Sequence, residues 1–372
     1  MANRQLSDKQ RLSWIRLLRT PNVGPATFRD LINRFGSAEH ALAMLPELAL
    51  SGGARQAPKI PSLATAEAEL DAAQAAGARI VAIGEGDYPA MLRRMDQPPP
   101  LVTVKGQPAV FGKPAVSIVG ARNASLAGIK FARMISSELA SSGYAIVSGL
   151  ARGIDTAAHQ GSLSSGTVAV LAGGVNRPYP PENAALCDEI SASGGAVITE
   201  MPFGWEPRAQ DFPRRNRLIA GLGLGLVVIE AAQRSGSLIS ARLAGEMGRI
   251  VFAVPGSPLD PRTEGTNGLL KDGAILVTEA EDIRRHLTPM TGGAPQLPAA
   301  LAEPENAATN PEPPGMDERE RLMEALSPTP TAVDELIHHT GLQPAQVQLI
   351  LLELDLAGRL ARHAGGLVSI AG

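Results

Sequence analysis

The chain has 372 residues, 44 % of them hydrophobic and 19 % charged, which excludes a wholly disordered protein and leaves room for two or three domains. One cysteine, Cys187, excludes an internal disulfide and a cysteine cluster, and neither a metal nor a cofactor is expected. The net charge of −3 divides as +3 over residues 1–112, +1 over 113–287, −3 over 288–315 and −4 over 316–372. A broad positive field is thereby excluded, so contact with a polyanion must rest on local arginines and backbone amides. The polar start MANRQLSDKQ lacks the apolar run of a secretory signal, and no apolar stretch approaches the roughly 20 residues that span a bilayer. A cytoplasmic protein without a membrane partner is expected.

Residues 8–75 read as a small helical domain. RLSWIRLLRT and ATFRDLINRFG carry apolar residues at three- and four-residue spacing, and the turn TPNVGPAT joins them. The pattern fits a helix-hairpin-helix or SAM-like unit whose amides can meet a phosphate, but a plain bundle turn is the favoured reading. Residues 76–287 hold a lead-in segment followed by short apolar runs alternating with amphipathic helices. The runs are 115–120, 144–149, 166–174, 195–201, 224–231, 249–256 and 274–278. Near-continuous apolar strands between helices predict a doubly wound, mostly parallel α/β sheet covered on both faces. Residues 288–315, with seven prolines and no periodic apolar pattern, are expected to be an extended linker. In 316–372 three helical patterns precede the strand pair LARHAGGLVSI, with Gly365 and Gly366 at its turn, which predicts a winged helix. Thr331 is expected to cap the second helix.

Ligands of an open α/β sheet sit beyond the carboxyl ends of its strands. The loop GARNAS (120–125) is not GxGxxG, and no acidic residue ends the second strand to hold a ribose, which disfavours a dinucleotide. Its small residues opening a helix predict an anion seat of free amides at Gly120, with Arg122 as a bidentate phosphate donor. A tight turn with a surface arginine is the plain alternative. SGLARGIDTAAH (148–159) offers Ser148, Gly149 and Gly153 for close approach, Arg152 as a contact and Asp155 as the cap of a helix starting at Thr156. His159 has no partner at metal-ligand spacing and is expected to be packed.

GGVNRPYPPEN (173–183) exposes Arg177 and Tyr179. The run 201–221 sets Arg208, Arg214, Arg215 and Arg217 beside Phe203, Trp205 and Phe212. Arginines next to aromatic faces suit a groove for unstacked bases, each stacked base contributing roughly 1–3 kcal/mol. One of Phe203 and Phe212 is expected to tuck under as core. Glu230 ends the fifth strand, and Ser235, Gly236 and Ser237 open a helix as a second anion seat. One carboxylate without an acid or nucleophile partner is thin support for hydrolysis.

These loops, in this order, resemble the DprA/Smf family: GARNAS, SGLARGIDTAAH, GGVNRPYPPEN, FPRRNRLIAGL, EAAQRSGSLISARLA, VFAVPGS and EGTNGLLKDGA, preceded by GDYPAMLRRMDQPPPLVTVKG (86–106). The resemblance runs from about residue 10 to the end. It implies a Rossmann-like core that binds single-stranded DNA, dimerises and has no catalytic turnover. The implied role is to protect incoming strands in natural transformation and to load the recombinase RecA on them. It carries Arg122, the glycines of SGLARGID, Arg177, and Phe212, Arg214, Asn216 and Arg217 of the FPxRNR motif into the binding site. The competing reading, a nucleotide phosphoribohydrolase-like enzyme on a Rossmann-like fold, expects PGGxGTxxE where this chain has PGSPLDPRTEGTN.

The tail's presumed recognition helix, 344–358, carries Glu353 and Asp355 and neither lysine nor arginine; only the wing offers Arg359 and Arg362. A DNA-reading helix needs cations and base-edge donors. A leucine-rich helix suits a protein partner or docking within the chain instead, which also argues against a transcription regulator. A deletion ending near Pro311 is expected to expose little buried surface.

Overall fold

The structure is a computed structural model in which residues 5–291 and 314–371 are described. They form two compact units, residues 69–291, and residues 6–68 together with 314–371. Helices α1 (Asp8–Leu18), α2 (Pro25–Phe35) and α3 (Ala38–Ser51) open the chain, and α4 (Leu63–Ala75) leads to the sheet. α1 starts on a reciprocal Ser7–Gln10 capping box. α2 starts on Pro25 and stops at Gly36, whose φ of 76° a side chain would resist.

The larger unit runs β1 (Ala78–Ala82), β2 (Leu101–Gly106), β3 (Ala115–Gly120), α5 (Leu126–Ser141), β4 (Ala145–Ser148), α6 (Ile154–Ser162), β5 (Thr167–Val170), α7 (Ala184–Ala192) and β6 (Ala196–Thr199). It continues through α8 (Asp211–Leu222), β7 (Gly225–Ile229), α9 (Gly236–Glu246), β8 (Ile250–Ala253), α10 (Glu264–Lys271), β9 (Ile275–Leu276) and α11 (Ala280–Thr291). The sheet order is β1-β2-β6-β5-β4-β3-β7-β8-β9. All seven expected strands are present and pair in parallel. The lead-in adds two strands that the residue pattern did not announce: β1 pairs with β2, and β2 with β6, both antiparallel.

Alternation along the central strands builds both faces. Val116, Ile118, Ile146, Val227 and Ile229 form one core with Ile135 and Leu139 of α5, Ala157 of α6 and Ile283 of α11. Ser117 points the other way and donates to the Ile219 carbonyl of α8 at 2.6 Å. From β3 the chain steps outward through β4, β5 and β6, then returns to add β7 on the other side of β3. The crevice between the ends of β3 and β7 is therefore the switch point where open α/β sheets hold ligands.

α11 runs to Thr291 with Pro289 inside it, so the helix continues past residue 288, where the linker was expected to begin. The remainder of that stretch, 292–313, lies outside the described residues.

In the smaller unit, the tail forms α12 (Met316–Ala325), β10 (Thr331–Ala332), α13 (Val333–Thr340), α14 (Pro344–Leu356), β11 (Leu360–Arg362) and β12 (Leu367–Ile370). β12 pairs with both β10 and β11. Thr331 belongs to β10, so it is not a helix cap; α13 begins after Ala332 without a side-chain cap. α14 is apolar on two opposite faces. Val347, Ile350, Leu351 and Leu354 enter the winged-helix core with Leu322, Leu336, Leu360 and Val368. Leu349, Leu352, Glu353 and Leu356 repeat at the same helical spacing on the opposite side and are buried as well. That side meets α2 and α3. Asn22 donates to the Leu356 carbonyl, Thr27 to Asp355 at 2.7 Å, and Arg362 to both Asp355 and Asp30 at 2.8 and 2.9 Å. The tail docks on the N-terminal helices, so removing it exposes their buried face, contrary to the expectation for a deletion near Pro311.

Candidate nucleic-acid interface

Phe212 occupies the centre of the site. It is the second residue of α8, which Asp211 starts. Asp211 fixes that start by accepting from Trp205 Nε1 at 2.9 Å and from the Arg208 amide at 2.8 Å. The Arg122 guanidinium stacks over the Phe212 ring at 5.4 Å, and the Tyr179 ring meets it edge-on at 5.5 Å. Arg208 stacks on Trp205 at 4.5 Å. Both Phe203 and Phe212 are half-buried, so neither is wholly core.

Two concavities share the strip Arg122–Ala151–Phe212–Arg215. A larger groove of about 830 Å³ lies at the switch point between the loops after β3 and β7, reaching Asn216, Arg234, Ser235 to Ser237 and Arg262. A smaller one of about 150 Å³ reaches Arg152, Tyr179, Pro180, Pro181 and Glu182.

A buried polar frame holds this strip. Arg215 donates to the carbonyls of Gly149 and Val170, both at 2.6 Å. Asp155 accepts from the amides of Gly149 and Ala151 at 3.1 and 3.3 Å. Burial raises the Asp155 carboxyl, against the pull of Arg215 and those amides, and burial lowers Arg215 to about 10, which leaves it charged at neutral pH. Asp155 lies within α6, whose cap is Gly153, so the predicted capping role is replaced by a grip on the preceding loop. His159 is fully buried; its Nδ1 meets the Thr167 hydroxyl at 2.8 Å, which itself donates to the Ile146 carbonyl. Burial and then Arg215 push its pKa down to about 3, and the packed role expected for it holds.

The predicted anion seats fare differently. At α5 the seat is already filled: Glu230, at φ 52°, accepts from both the amide and the hydroxyl of Ser125. At α9, Ser235 accepts from the Ser237 amide, and no acidic residue stands in the first turn. Ser148 is fully buried and donates to the Ile118 carbonyl at 2.6 Å, so its hydroxyl has no face for a ligand. The glycines are packing positions. A Cβ at Gly120 would strike the Ile229 carbonyl, at Gly149 the Arg215 guanidinium at 2.6 Å, and at Gly153, with φ 74°, the Arg122 carbonyl at 2.8 Å. Asn216 donates to the Gly236 carbonyl at 3.3 Å and ties α8 to α9.

The arginines divide by partner. Arg214 donates to Glu200 at 3.1 Å, and Arg217 donates to the same carboxylate and to the Gln97 carbonyl. Arg177 pairs with Glu206 at 3.1 Å. None of these three lines either concavity. Arg262 is held by Asp260 at 2.8 Å. Among the described residues, no ion pair ties down Arg122 or Arg234. Residue patterns did not point to Arg234, Arg262 or Glu182, because only the fold brings their loops beside Phe212. Among the described residues there is also no group of metal-ligating side chains.

The family model for DNA recombination-mediator protein A matches residues 79–288. The chain belongs to that family, known also as DprA/Smf. Models for a DprA-like N-terminal HHH domain and a DprA winged helix domain match residues 8–72 and 306–366, which settles the N-terminal turn as a helix-hairpin-helix. Protein Smf of Escherichia coli is 39 % identical over 291 residues, 76 % of this chain and 75 % of Smf. The DNA processing protein DprA of Streptococcus pneumoniae is 42 % identical over 198 residues, 53 % of this chain and 70 % of that one. The X-ray structure of S. pneumoniae DprA aligns with a TM-score of 0.56 at 38 % identity, covering 60 % of this chain and 78 % of that one. Helicobacter pylori DNA processing protein A, solved for its single-stranded DNA binding mode, aligns with a TM-score of 0.52 at 26 % identity, over 57 % and 96 % of the chains. Among the described residues no helix is long and apolar enough to cross a membrane.

Proposed function

We propose that this DprA/Smf-family chain binds single-stranded DNA across the switch-point groove and passes the coated strand to a recombinase of the RecA kind, without chemical turnover. The observation that carries this is Phe212, held between a stacked Arg122 and the edge of Tyr179 in the wall that two concavities share. Aromatic faces accept bases of any sequence, and Arg122 and Arg234 suit the phosphates between them. The set Ser148, Gly149, Gly153 and Asn216 is assigned a framing role. The H. pylori relative is a protein described for this ligand, which supports the same class here.

The nearby carboxylates favour binding over hydrolysis: Asp155 grips two amides, Glu230 caps α5 and Asp260 holds Arg262. A homodimer through the core fits β9, an edge strand with Leu276 half exposed. Sedimentation of wild type and Leu276→Asp would test it, a monomeric wild type contradicting it. For the main reading, anisotropy titrations with single-stranded and duplex oligonucleotides at two salt concentrations should show preference for the single strand. The salt slope should be modest, since few phosphates are neutralised. Equal affinity for duplex contradicts the proposal.

A further inference from the structure

We infer that the tail is an autoinhibitory clamp on the helix-hairpin-helix: the end of α14 takes the place of a nucleic-acid backbone at the hairpin, and its release uncovers a surface for duplex DNA in the smaller unit. The hairpin, Thr20 to Thr27, turns at Asn22, whose φ is 64°. The amides of Gly24, Ala26 and Thr27 meet no acceptor among the described residues, and α2 has no side-chain cap. Free amides at the positive end of a helix attract an anion. An anion from a distant part of the chain is seated there. The Asp355 carboxylate accepts from the Thr27 hydroxyl at 2.7 Å, and the Leu356 carbonyl accepts from Asn22 at 3.1 Å. Arg362 clasps Asp355 to Asp30 of α2. Gly358 lies so near the turn that a Cβ on it would come within 3.1 Å of the Asn22 side-chain nitrogen.

Charge points to the same ligand independently. Residues 8–36, which span α1 and α2, carry six basic and two acidic side chains, for +4, whereas residues 316–372 carry four and eight, for −4. A positive hairpin that takes up a negative tail, with a carboxylate at its helix start, is a polyanion site filled from within. What the hairpin can read is backbone rather than bases. Trp14 of α1 and Phe28 of α2 are 1 % and 0 % exposed, so neither offers a face for stacking. Backbone contact favours a duplex, whose paired strands give about twice the phosphate density of one strand. The tail is kept in place by Leu349, Leu352 and Leu356, buried on the side of α14 that meets α2 and α3. The clamp stands or falls independently of the single-strand groove.

Anisotropy titrations of the full chain with a short DNA duplex test the clamp. Leu352→Asp breaks the apolar docking while adding a negative charge, so a direct electrostatic effect would weaken binding. It should instead bind the duplex at least about tenfold more tightly than wild type, the worth of one charge-assisted phosphate contact. Gly24→Asp, added to that variant, puts a carboxylate at the hairpin. The position has open space and a φ of −89°, and aspartate is a favoured helix cap, so the fold is kept. The double variant should return to wild-type duplex affinity. Should the melting temperature show Leu352→Asp unfolded, Asp355→Asn replaces it and should gain about two- to fivefold, as for one exposed charge pair. Asp334→Asn, the same change at an exposed acid of α13, should gain nothing. Duplex affinity of the opening variant at or below that of wild type overturns the clamp. A gain that survives Gly24→Asp, or one that Asp334→Asn matches, overturns it as well.

Discussion

The groove unit and the tail both present arginines beside acidic residues, yet they use them in opposite ways. At the switch point, Arg122 lies over Phe212 and Arg234 lines the groove, with no carboxylate paired to either among the described residues. In the tail, Arg319 is locked to buried Glu353 at 2.7 Å, Arg362 to Asp30 and Asp355, and Arg359 donates to the Gly52 carbonyl. Of the wing arginines, taken from sequence as the tail's only means of reading DNA, Arg362 is spent on docking, while Arg359 stays exposed with one carbonyl contact. The number of arginines is thus a poor guide to polyanion binding; whether a carboxylate is already seated on each one decides it.

The largest effect is expected at α14. Leu352→Asp places a charge in the face docked on α2 and α3 and should destabilise that docking by about 3–5 kcal/mol. Hydrogen exchange should then accelerate in α2 and α3 while the sheet strands keep their protection. Unchanged exchange in α2 and α3 would show that this face carries little of the unit's stability.

Next in size is Arg215→Leu, which strips the carbonyls of Gly149 and Val170 of their donor and leaves Asp155 without its countercharge. About 3 kcal/mol of stability should be lost, read as a lower denaturation midpoint. A midpoint equal to that of wild type would mean the frame is held by other contacts.

A pH effect sharpens the picture of the same frame. His159 has a folded pKa of about 3 against an ordinary 6.5, so the unfolded chain takes up the proton first as pH falls. Its contribution is whole above 6.5 and is lost progressively toward 3, amounting to about 2 kcal/mol between pH 7 and 5. His159→Leu should flatten that part of the stability curve relative to wild type; an unaltered slope would mean the imidazole stays neutral in neither state.

The smallest effect is expected at the wing. Arg362→Gln should change single-strand affinity by less than about 0.5 kcal/mol, because its guanidinium is already held by Asp30 and Asp355. A clear loss of affinity would transfer part of the binding to the tail.

Much of the architecture was legible in the residues, for identifiable reasons. The central parallel strands β3 to β7 are buried on both faces and so read as apolar runs, and α14 betrayed its docking role by lacking cations. β1 and β2 escaped notice although they are as long as the parallel strands, because the pairing of β1 with β2 and of β2 with β6 is set by tertiary contact rather than local pattern. Within the site, Arg122, Tyr179 and Phe212 stood out by residue type. The filling of the α5 seat by Glu230 did not, since Ser125 and Glu230 are 105 positions apart and meet only through the β3–β7 pairing. Ser148 was misplaced for a similar reason, because a hydroxyl at a strand end can face solvent or the neighbouring strand with the same sequence around it. Asp155 was taken for a cap because its helix begins two residues earlier than glycine and threonine suggested.

The switch-point groove is tested by one titration, that of an oligo-dT strand against wild type, Arg122→Ala and Phe212→Ala at a single salt concentration, with melting temperatures taken in parallel. Each substitution should weaken binding, by about 1–2 kcal/mol for the phosphate contact and about 1–3 kcal/mol for the stacking face, with little change in stability for Arg122→Ala. Wild-type affinity in both variants would contradict the assignment of the switch-point groove as the DNA-binding surface.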